Sequence, residues 1–490
     1  MTTTIDTLAD FAATASARLP EDVLEYTKLV LCDTVLSGVC TGGLERGDMA
    51  RRLADRMGAE PEALVLGSAT QRSLLAAAYA NADLMNLLDA DETFFNGAHF
   101  AAMSFAPALA AAQHGRRSGL DLLRAAAISF DVNARFNLGT SLMEYDGESF
   151  RFSKLSSHGY ASLGAAVAVG LLTDQSADQL ADGMGLATWL APTAKNGYMG
   201  TRRRFNSLKY APNGQIAHAG MTAAMMASEG YQGDRDTLDT EPGFLEAQGY
   251  RGGDRAAITA DLGSVWWILE TSVKPYPACR FSHAAIDAVR SLRVEHGISA
   301  EDILGIDVEL SPAAYSISQF RDPHRDIAAD HVAPYTVQFT MPTLVALALS
   351  DVPEGPAWHR PEVFASPQVR ALADRVTVSE DPVLAQEWHE TITSGSGEKV
   401  RRTRGSLTVR TTRGTERVVT DFALGDPWED STRAGWDMLR TKLSGFGDGW
   451  LDPEHQATFL EAFRTLDSLD DVATDLVPLL VPSAQRATGR

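Results

Sequence analysis

The chain has 490 residues, 44% of them hydrophobic and 22% charged, which is enough for two or three globular units. A formal net charge of −21, from 43 Lys and Arg against 64 Asp and Glu, argues against nucleic-acid or membrane-surface binding. There is no apolar run of 18 residues, no signal-peptide pattern and no CxxC pair, so we expect a cytoplasmic protein whose cysteines are small core residues.

The first half of the sequence predicts a series of helices. Its segments rich in Ala, Leu, Met and Val are too long for strands and are apolar nearly all round, which is typical of helices buried by other helices. These segments are residues 21–39, 73–89, 120–136 and 160–172. Ser176-Ala-Asp-Gln179 is a capping-box pattern that predicts a further helix reaching about Met184.

The pattern changes near residue 270. Short strands are predicted at 303–311, 335–340 and 376–379, with a hairpin at 406–411 and 416–421. Helices are predicted at 283–296, from Ser299, at 432–442 and at 453–466. The predicted fold is therefore mainly α: a large all-helical domain (1–268), an inserted smaller α+β lid domain (269–424), and C-terminal helices (425–490) that return to the helical domain.

Polar groups follow the apolar helix predicted at 73–89. Asp89 and Thr93 are four residues apart and would share a face if this helix continued, and a glycine-containing loop then leads to His99. A carboxylate, a hydroxyl and an imidazole can together transfer protons and bind a carboxylate. The alternative is an acidic last turn with a solvated loop, although acids are unfavourable at a helix C-terminus.

Between Asp182 and Glu229 the sequence has no carboxylate, although the protein as a whole is acidic. The basic residues of this window are Lys195, Arg202, Arg203, Arg204, Lys209 and His218. Glycines and a helix start at Asn213-Gly214 accompany them, which indicates an anion site. A basic surface patch that docks an acidic partner is the alternative. Adjacent arginines cannot all face one pocket, so at most two of Arg202–Arg204 would be ligands.

The segment Lys274-Pro-Tyr-Pro-Ala-Cys279-Arg280-Phe-Ser-His283 lies where the second domain is predicted to begin, a favoured place for a small-molecule site. His283 would stand at the start of a helix, either as a site residue or as a structural cap. His158 is a weaker candidate. The other histidines in polar contexts are expected at the surface: His114, His296, His324, His331, His359, His389 and His455. No metal, dinucleotide, phosphate-loop or serine-hydrolase motif is present.

In this order, the segments resemble the MmgE/PrpD family over nearly the whole chain. Asp89 to His99 is similar to its D-x-D-[DE]-T followed by histidine, and KPYPACRFSH to its K-x-Y-P-x-C-R-x-x-H. Further matches are Asp33-Thr, His158 to Gly164, Lys209 to Gly214, and Gln338-Phe-Thr-Met-Pro342. The chain differs from relatives after His99, after His158 and at Thr343, and these differences bear on the substrate.

The resemblance implies a homodimer with a pocket between its two domains that needs no metal or other cofactor. Its pocket residues match Asp89, Thr93, His99, Lys209 and His283, with His158 as a further match. We expect His99 or His283 to remove a proton next to a substrate carboxylate, with Asp89 orienting an imidazole. Lys209, with Arg280 or an arginine such as Arg204, would bind carboxylates, and Thr93 a substrate oxygen.

Dehydration of a small (poly)carboxylic acid is the first expectation for this pocket. Epimerisation, or decarboxylation of a similar acid, is the alternative in the same pocket. All three reactions develop negative charge on the substrate, which the same pocket could neutralise. A non-catalytic anion-binding protein is the rival from another class.

Overall fold

The computed structural model describes residues 2–95, 97–140, 143–145, 150–152, 158–193, 211–250, 253–318, 337–393 and 401–486. Helices dominate these residues, as the sequence predicts, and sheets are few and small. No helix among the described residues is long and apolar enough to cross a membrane.

Helices form most of the first 230 residues. They are α1 Thr4–Ala15, α2 Glu21–Val39, α3 Glu45–Met57, α4 Leu74–Asn86, α5 Ala101–His114, α6 Gly119–Leu138, α7 Ala161–Leu172, α8 Ala177–Leu190 and α9 Ala211–Ser228. The predicted capping box at Ser176 and Gln179 is present, but α8 continues six residues beyond Met184. Buried residues cover almost every side of α5 and α7, because other helices surround them.

The helix predicted to reach residue 89 ends earlier. α4 stops at Asn86, and the chain turns so that Asp89 adopts a left-handed backbone with φ of 52°. Thr93 instead lies in the short strand β3, Thr93–Phe94. The helix prediction is therefore too long by three residues, and Asp89 and Thr93, which would have shared a face in a longer helix, do not lie on one.

The remaining strands are short except in one sheet. They are β1 Ala63–Leu64, β2 Gln71–Arg72, β4 Met143–Tyr145, β5 Phe150–Phe152, β6 Thr271–Ser272, β7 Ile303–Leu310, β8 Val376–Glu380, β9 Gly405–Thr411 and β10 Gly414–Thr420. The sheet has the order β10-β9-β7-β8, with β7 and β8 parallel and the other pairs antiparallel. Val308 in β7 faces Leu407 and Val378, which confirms the strands predicted at 303–311 and 376–379. Leu407 faces Val418 in the β9–β10 pair, which confirms the predicted hairpin.

Two predictions in this part of the chain are wrong. Val337–Phe339, predicted as strand, forms a 3₁₀ turn that leads into a helix. Ser299 caps only a single 3₁₀ turn, Ala300–Asp302, because β7 begins directly after it. The helices here are α10 His283–Glu295, α11 Pro312–Ser318, α12 Met341–Leu349, α13 Pro367–Ala373 and α14 Pro382–Thr393.

The C-terminal helices are α15 Trp436–Phe446 and α16 Pro453–Arg464. Both pack against α2, and their buried side chains join the apolar core of α1–α9. A second apolar core is built from residues between Tyr276 and Val409. The predicted domain boundaries and the insertion of the α+β part remain predictions.

Candidate active site

A buried acidic turn follows α4 and carries Asp89, Asp91 and Glu92, all of which are nearly inaccessible to solvent. Lys274 reaches this turn from a distant part of the sequence. Its Nζ donates to Oδ1 of Asp89 at 2.6 Å and to the carbonyl of Asp89 at 2.9 Å. Burial alone would lower the pKa of Lys274, but the charges of Asp89 and Asp91 outweigh it and raise that pKa above its usual value.

The pairing of β3 with β6 brings Lys274 to the turn. Thr93 faces Ser272 and Phe94 faces Thr271 in antiparallel register, so the chain continues from β6 directly to Lys274. The hydroxyl of Thr93 is buried and has no hydrogen-bond partner among the described residues. It is therefore a polar group that a ligand oxygen could satisfy.

His99 lies between the acids of the turn and is partly accessible. Its Nδ1 is 2.7 Å from the carbonyl oxygen of Glu92. A carbonyl oxygen only accepts, so Nδ1 must donate, and the neutral ring then carries its basic lone pair on Nε2. This Nε2 is 3.7 Å from Oδ1 of Asp89, whose charge would stabilise the imidazolium after proton uptake.

The other two acids of the turn have structural partners. Both oxygens of Asp91 accept from Nδ2 of Asn86, at 2.7 and 2.8 Å. Oε1 of Glu92 accepts from the backbone N–H groups of Phe100 and Ala101, so it caps the start of α5. Burial and the charge of Asp91 raise the pKa of Glu92 well above its usual value, although these two N–H groups oppose the change.

His283 is fully buried at the start of α10. Its Nε2 donates to the carbonyl of Ala278 at 3.0 Å. Burial and the charge of Lys274 lower the pKa of His283 to about 3, with Asp89 acting in the opposite direction. His283 is therefore neutral near pH 7, and its free lone pair is on Nδ1.

His359 was expected at the surface, and this expectation is wrong. It is buried, and its Nε2 donates to the carbonyl of Pro277 at 2.9 Å. His283 and His359 thus bind successive carbonyls of the segment that follows Lys274. Burial lowers the pKa of His359, and the charge of Asp89 opposes this change, so His359 also belongs to this region. His455 is another buried histidine that was expected at the surface.

Arg280 has several protein partners, while its buried Nη1 has none among the described residues, and its substrate-binding role remains a prediction. It is buried, and its Nε and Nη2 donate to the carboxylate of Asp426 at 3.2 Å. Nε also contacts Ser272, and Nη2 the carbonyl of Arg401. These bonds join the stretch before α10 to the returning chain near residue 426, so the geometry favours a role in holding the two stretches together.

The remaining predicted residues lie around the turn or outside the described residues. The ring of His158 packs edge-on against Phe100, the neighbour of His99, with centroids 6.3 Å apart. Lys209 and Arg202–Arg204 lie outside the described residues. The first turn of α9 is nevertheless tied to the end of α4, because Nδ2 of Asn213, four residues after Lys209, donates to Oδ1 of Asn86 at 2.9 Å.

Asp89, Asp91 and His99 also form the one group among the described residues whose ligand atoms, all within 4.8 Å of one another, could surround a metal ion. The ammonium of Lys274 already occupies the cation position beside Asp89. Nδ1 of His99 donates to a carbonyl, which leaves only Nε2 as a possible ligand. A metal ion here would therefore have to displace Lys274, so the donor set fits an internal ion pair better.

Sequence reasoning missed several residues of this region. Lys274 is the first residue of the segment KPYPACRFSH, which the sequence analysis treated as a candidate site. The signal that could have found it is this position, which makes it a candidate cation for Asp89. Asp91 and Glu92 stand in the acidic run that drew attention to the turn. His359 and Lys442, which contacts the carbonyl of Ala90, carry no local pattern that would connect them with it.

Comparisons with known proteins agree with the sequence resemblance. The model of the MmgE/PrpD N-terminal domain matches residues 6–251, and that of the C-terminal domain matches residues 276–468. Human cis-aconitate decarboxylase is 24% identical over 375 residues, which are 74% of each chain. Together the two domain models cover most of the sequence, so the chain belongs to the MmgE/PrpD family.

Proposed function

We propose that this protein is a lyase that removes a proton next to a carboxylate of a small (poly)carboxylic acid, with dehydration as the first candidate reaction. One observation carries the proposal: Nδ1 of His99 is committed to a carbonyl, so the basic Nε2 is directed toward the Asp89–Lys274 pair. Membership of the MmgE/PrpD family and the similarity to cis-aconitate decarboxylase support an enzyme of this class.

His99 would act as the base and Asp89 as its charge partner. The developing negative charge must be neutralised by cations that are already in place. Lys274 is one such cation in this region, and we propose that Lys209, with an arginine such as Arg204, binds the substrate carboxylates. The unsatisfied hydroxyl of Thr93 would hold a substrate oxygen, and His158 would line the same pocket.

In dehydration, the C–H bond next to the carboxylate breaks and its electron pair forms the C=C bond. The C–O bond of the β-hydroxyl then breaks, and the leaving oxygen takes a proton to become water. Burial lowers the pKa of His283, so it is neutral near pH 7 and is the weaker candidate for supplying this proton. We therefore assign the transfer to His99, which takes the proton on Nε2 and returns it to the leaving oxygen.

Decarboxylation is the second candidate, and the similarity to cis-aconitate decarboxylase favours it. A C–C bond breaks, carbon dioxide leaves without the electron pair, and the protonated His99 delivers one proton to carbon. A single imidazole is sufficient for this reaction as well. Epimerisation would need return of the proton to the opposite face and is the third candidate. A homodimer without a metal cofactor is also part of the proposal.

The test is proton NMR in D₂O with citrate-like, aspartate-like and itaconate-like acids. Conversion or exchange of a C–H next to a carboxylate marks an enzyme, and the product identifies the reaction. His99→Asn should lower the rate by ~10²–10⁴-fold, the usual contribution of a general base. His114→Asn is the matched control, because His114 is an exposed imidazole at the end of α5.

Binding of an acid without exchange or conversion would favour the rival, a non-catalytic anion-binding protein. Full activity of a folded His99→Asn would exclude His99 as the base.

A further inference from the structure

The turn at Asp89 has a backbone that non-glycine residues rarely adopt, with φ of 52°. Such a conformation persists only where the surroundings hold it. Two buried lysines bind its successive carbonyls. Lys274 donates to the carbonyl of Asp89 at 2.9 Å, and Lys442 donates to the carbonyl of Ala90 at 2.5 Å.

Lys442 comes from α15, near the other end of the sequence. Its side chain is completely buried. Its Nζ pairs with Oδ1 of Asp33 in α2, lies 3.4 Å from Oγ of Ser37, and is 4.9 Å from the ring centre of Phe446. The ammonium thus has one carboxylate partner in α2 and one carbonyl partner in the turn.

The turn sets the spacing of the carboxylates around His99. Oε2 of Glu92 is 3.6 Å from Nδ1. Oδ1 of Asp89 is 3.7 Å from Nε2, and Oδ2 of Asp91 is 3.7 Å from Nδ1. Ala90 is the residue between these two acids, and its carbonyl is the atom that Lys442 holds. A change in the orientation of this peptide would move both carboxylates relative to the imidazole.

We propose that Lys442 is a positioning residue for His99: paired with Asp33, it anchors the Ala90 carbonyl so that Asp89 and Asp91 flank the imidazole. This inference rests on the proposed function of His99 as the base, and it adds the C-terminal helix α15 to the machinery of the site. Lys442 contacts the backbone of the turn and α2, and its charge also interacts with Asp91 and Lys274, so it acts on the reaction through its neighbours and not by touching substrate.

Three variants test the role of Lys442. Lys442→Gln keeps a donor and removes the charge, and Lys442→Met removes both. The double variant Asp33→Asn/Lys442→Met removes both charges, so that no lone ion is buried, which protects folding. Lys28→Gln is the control, because Lys28 also links α2 to the C-terminal segment, through Asp467 at 2.7 Å.

The first readout needs no substrate. In ¹³C-histidine NMR, the signal of His99, assigned by its loss in His99→Asn, should titrate at lower pH in the double variant, where the loss of the Lys442 charge is balanced by the loss of the Asp33 charge. The reason is that displaced carboxylates no longer stabilise the imidazolium. Lys28→Gln should leave this titration unchanged. This readout remains valid if no acid is turned over, so failure of the proposed function is distinguished from failure of the positioning role.

With an identified substrate, kcat should fall by about 10²-fold in Lys442→Met while KM changes little, since misplacement by ~1 Å has this effect. Lys442→Gln should retain more activity than Lys442→Met. Folded variants in which both the His99 titration and kcat equal those of the wild type would overturn the proposal. Failure of every variant to fold, the double variant included, would assign the pair to the core and overturn it as well.

Discussion

The buried imidazole of His283 should make the stability of this protein sensitive to acid. Burial and the Lys274 ammonium lower its folded pKa to about 3, whereas the ordinary pKa of a histidine is 6.5. Between these two pKa values the unfolded chain binds a proton that the folded chain does not. The free energy of unfolding is therefore unaffected by His283 above pH 6.5 and decreases as the pH falls toward 3. Linkage gives a loss of about 1.4 kcal/mol at about pH 5.5 and about 2.7 kcal/mol at about pH 4.5.

The assay is urea unfolding of the wild type and His283→Gln, followed by tryptophan fluorescence at about pH 7.5, 5.5 and 4.5. The apparent free energy of unfolding of the variant should fall less with acid, by the amounts above. His114→Gln, at an exposed position, is the control and should keep the wild-type dependence. An unchanged dependence in His283→Gln would mean that the folded protein protonates His283, which would make it available as the proton donor that we assign to His99.

The buried charges, a close backbone contact and the candidate metal group give further expectations. Lys274→Met should destabilise the fold by about 3–5 kcal/mol in urea unfolding, because it breaks a buried ion pair, and Asp89→Asn/Lys274→Met should recover most of this loss. Arg280→Lys should lower the melting temperature without raising KM, because the guanidinium bonds Asp426; a raised KM at full stability would instead support the predicted substrate-binding role. Gly425→Ala should cost more than about 1 kcal/mol in urea unfolding, because φ is 95° and its Cβ would lie 1.8 Å from a facing carbonyl oxygen. Turnover measured by NMR should survive EDTA, and Zn²⁺ should inhibit by competing with Lys274; activity that EDTA abolishes and metal restores would contradict this.

The helical part of the fold is readable from the sequence because long apolar segments bury themselves against one another. The bounds of α2 agree with the prediction, and the hairpin β9–β10 follows from alternation around a Gly turn. The strand predicted at 335–340 is wrong because a pattern of alternating apolar and polar residues over only six positions does not distinguish a strand from a short turn that leads into a helix. The two cores agree with the predicted change of pattern near residue 270.

The candidate site was only partly predictable. Asp89 and His99 stood out because they interrupt an apolar run. The left-handed turn at Asp89 could not be predicted, since tertiary partners hold it and local propensity does not favour it. The ion pairs that hold this turn join residues 185 and 409 positions apart, and a single sequence contains no sign of such pairings. The neutral state of His283 likewise depends on burial, which its sequence context does not disclose.

The wide separation of these partners has a consequence for biosynthesis. At ~5–20 residues per second, the ribosome adds Lys274 about 10–40 s after Asp89, and Lys442 about 20–80 s after Asp33. During that interval the nascent helices cannot enclose both carboxylates without a large desolvation cost. We therefore expect the emerging N-terminal helices to remain loosely packed and accessible to chaperones, and to consolidate only after Lys442 has left the exit tunnel.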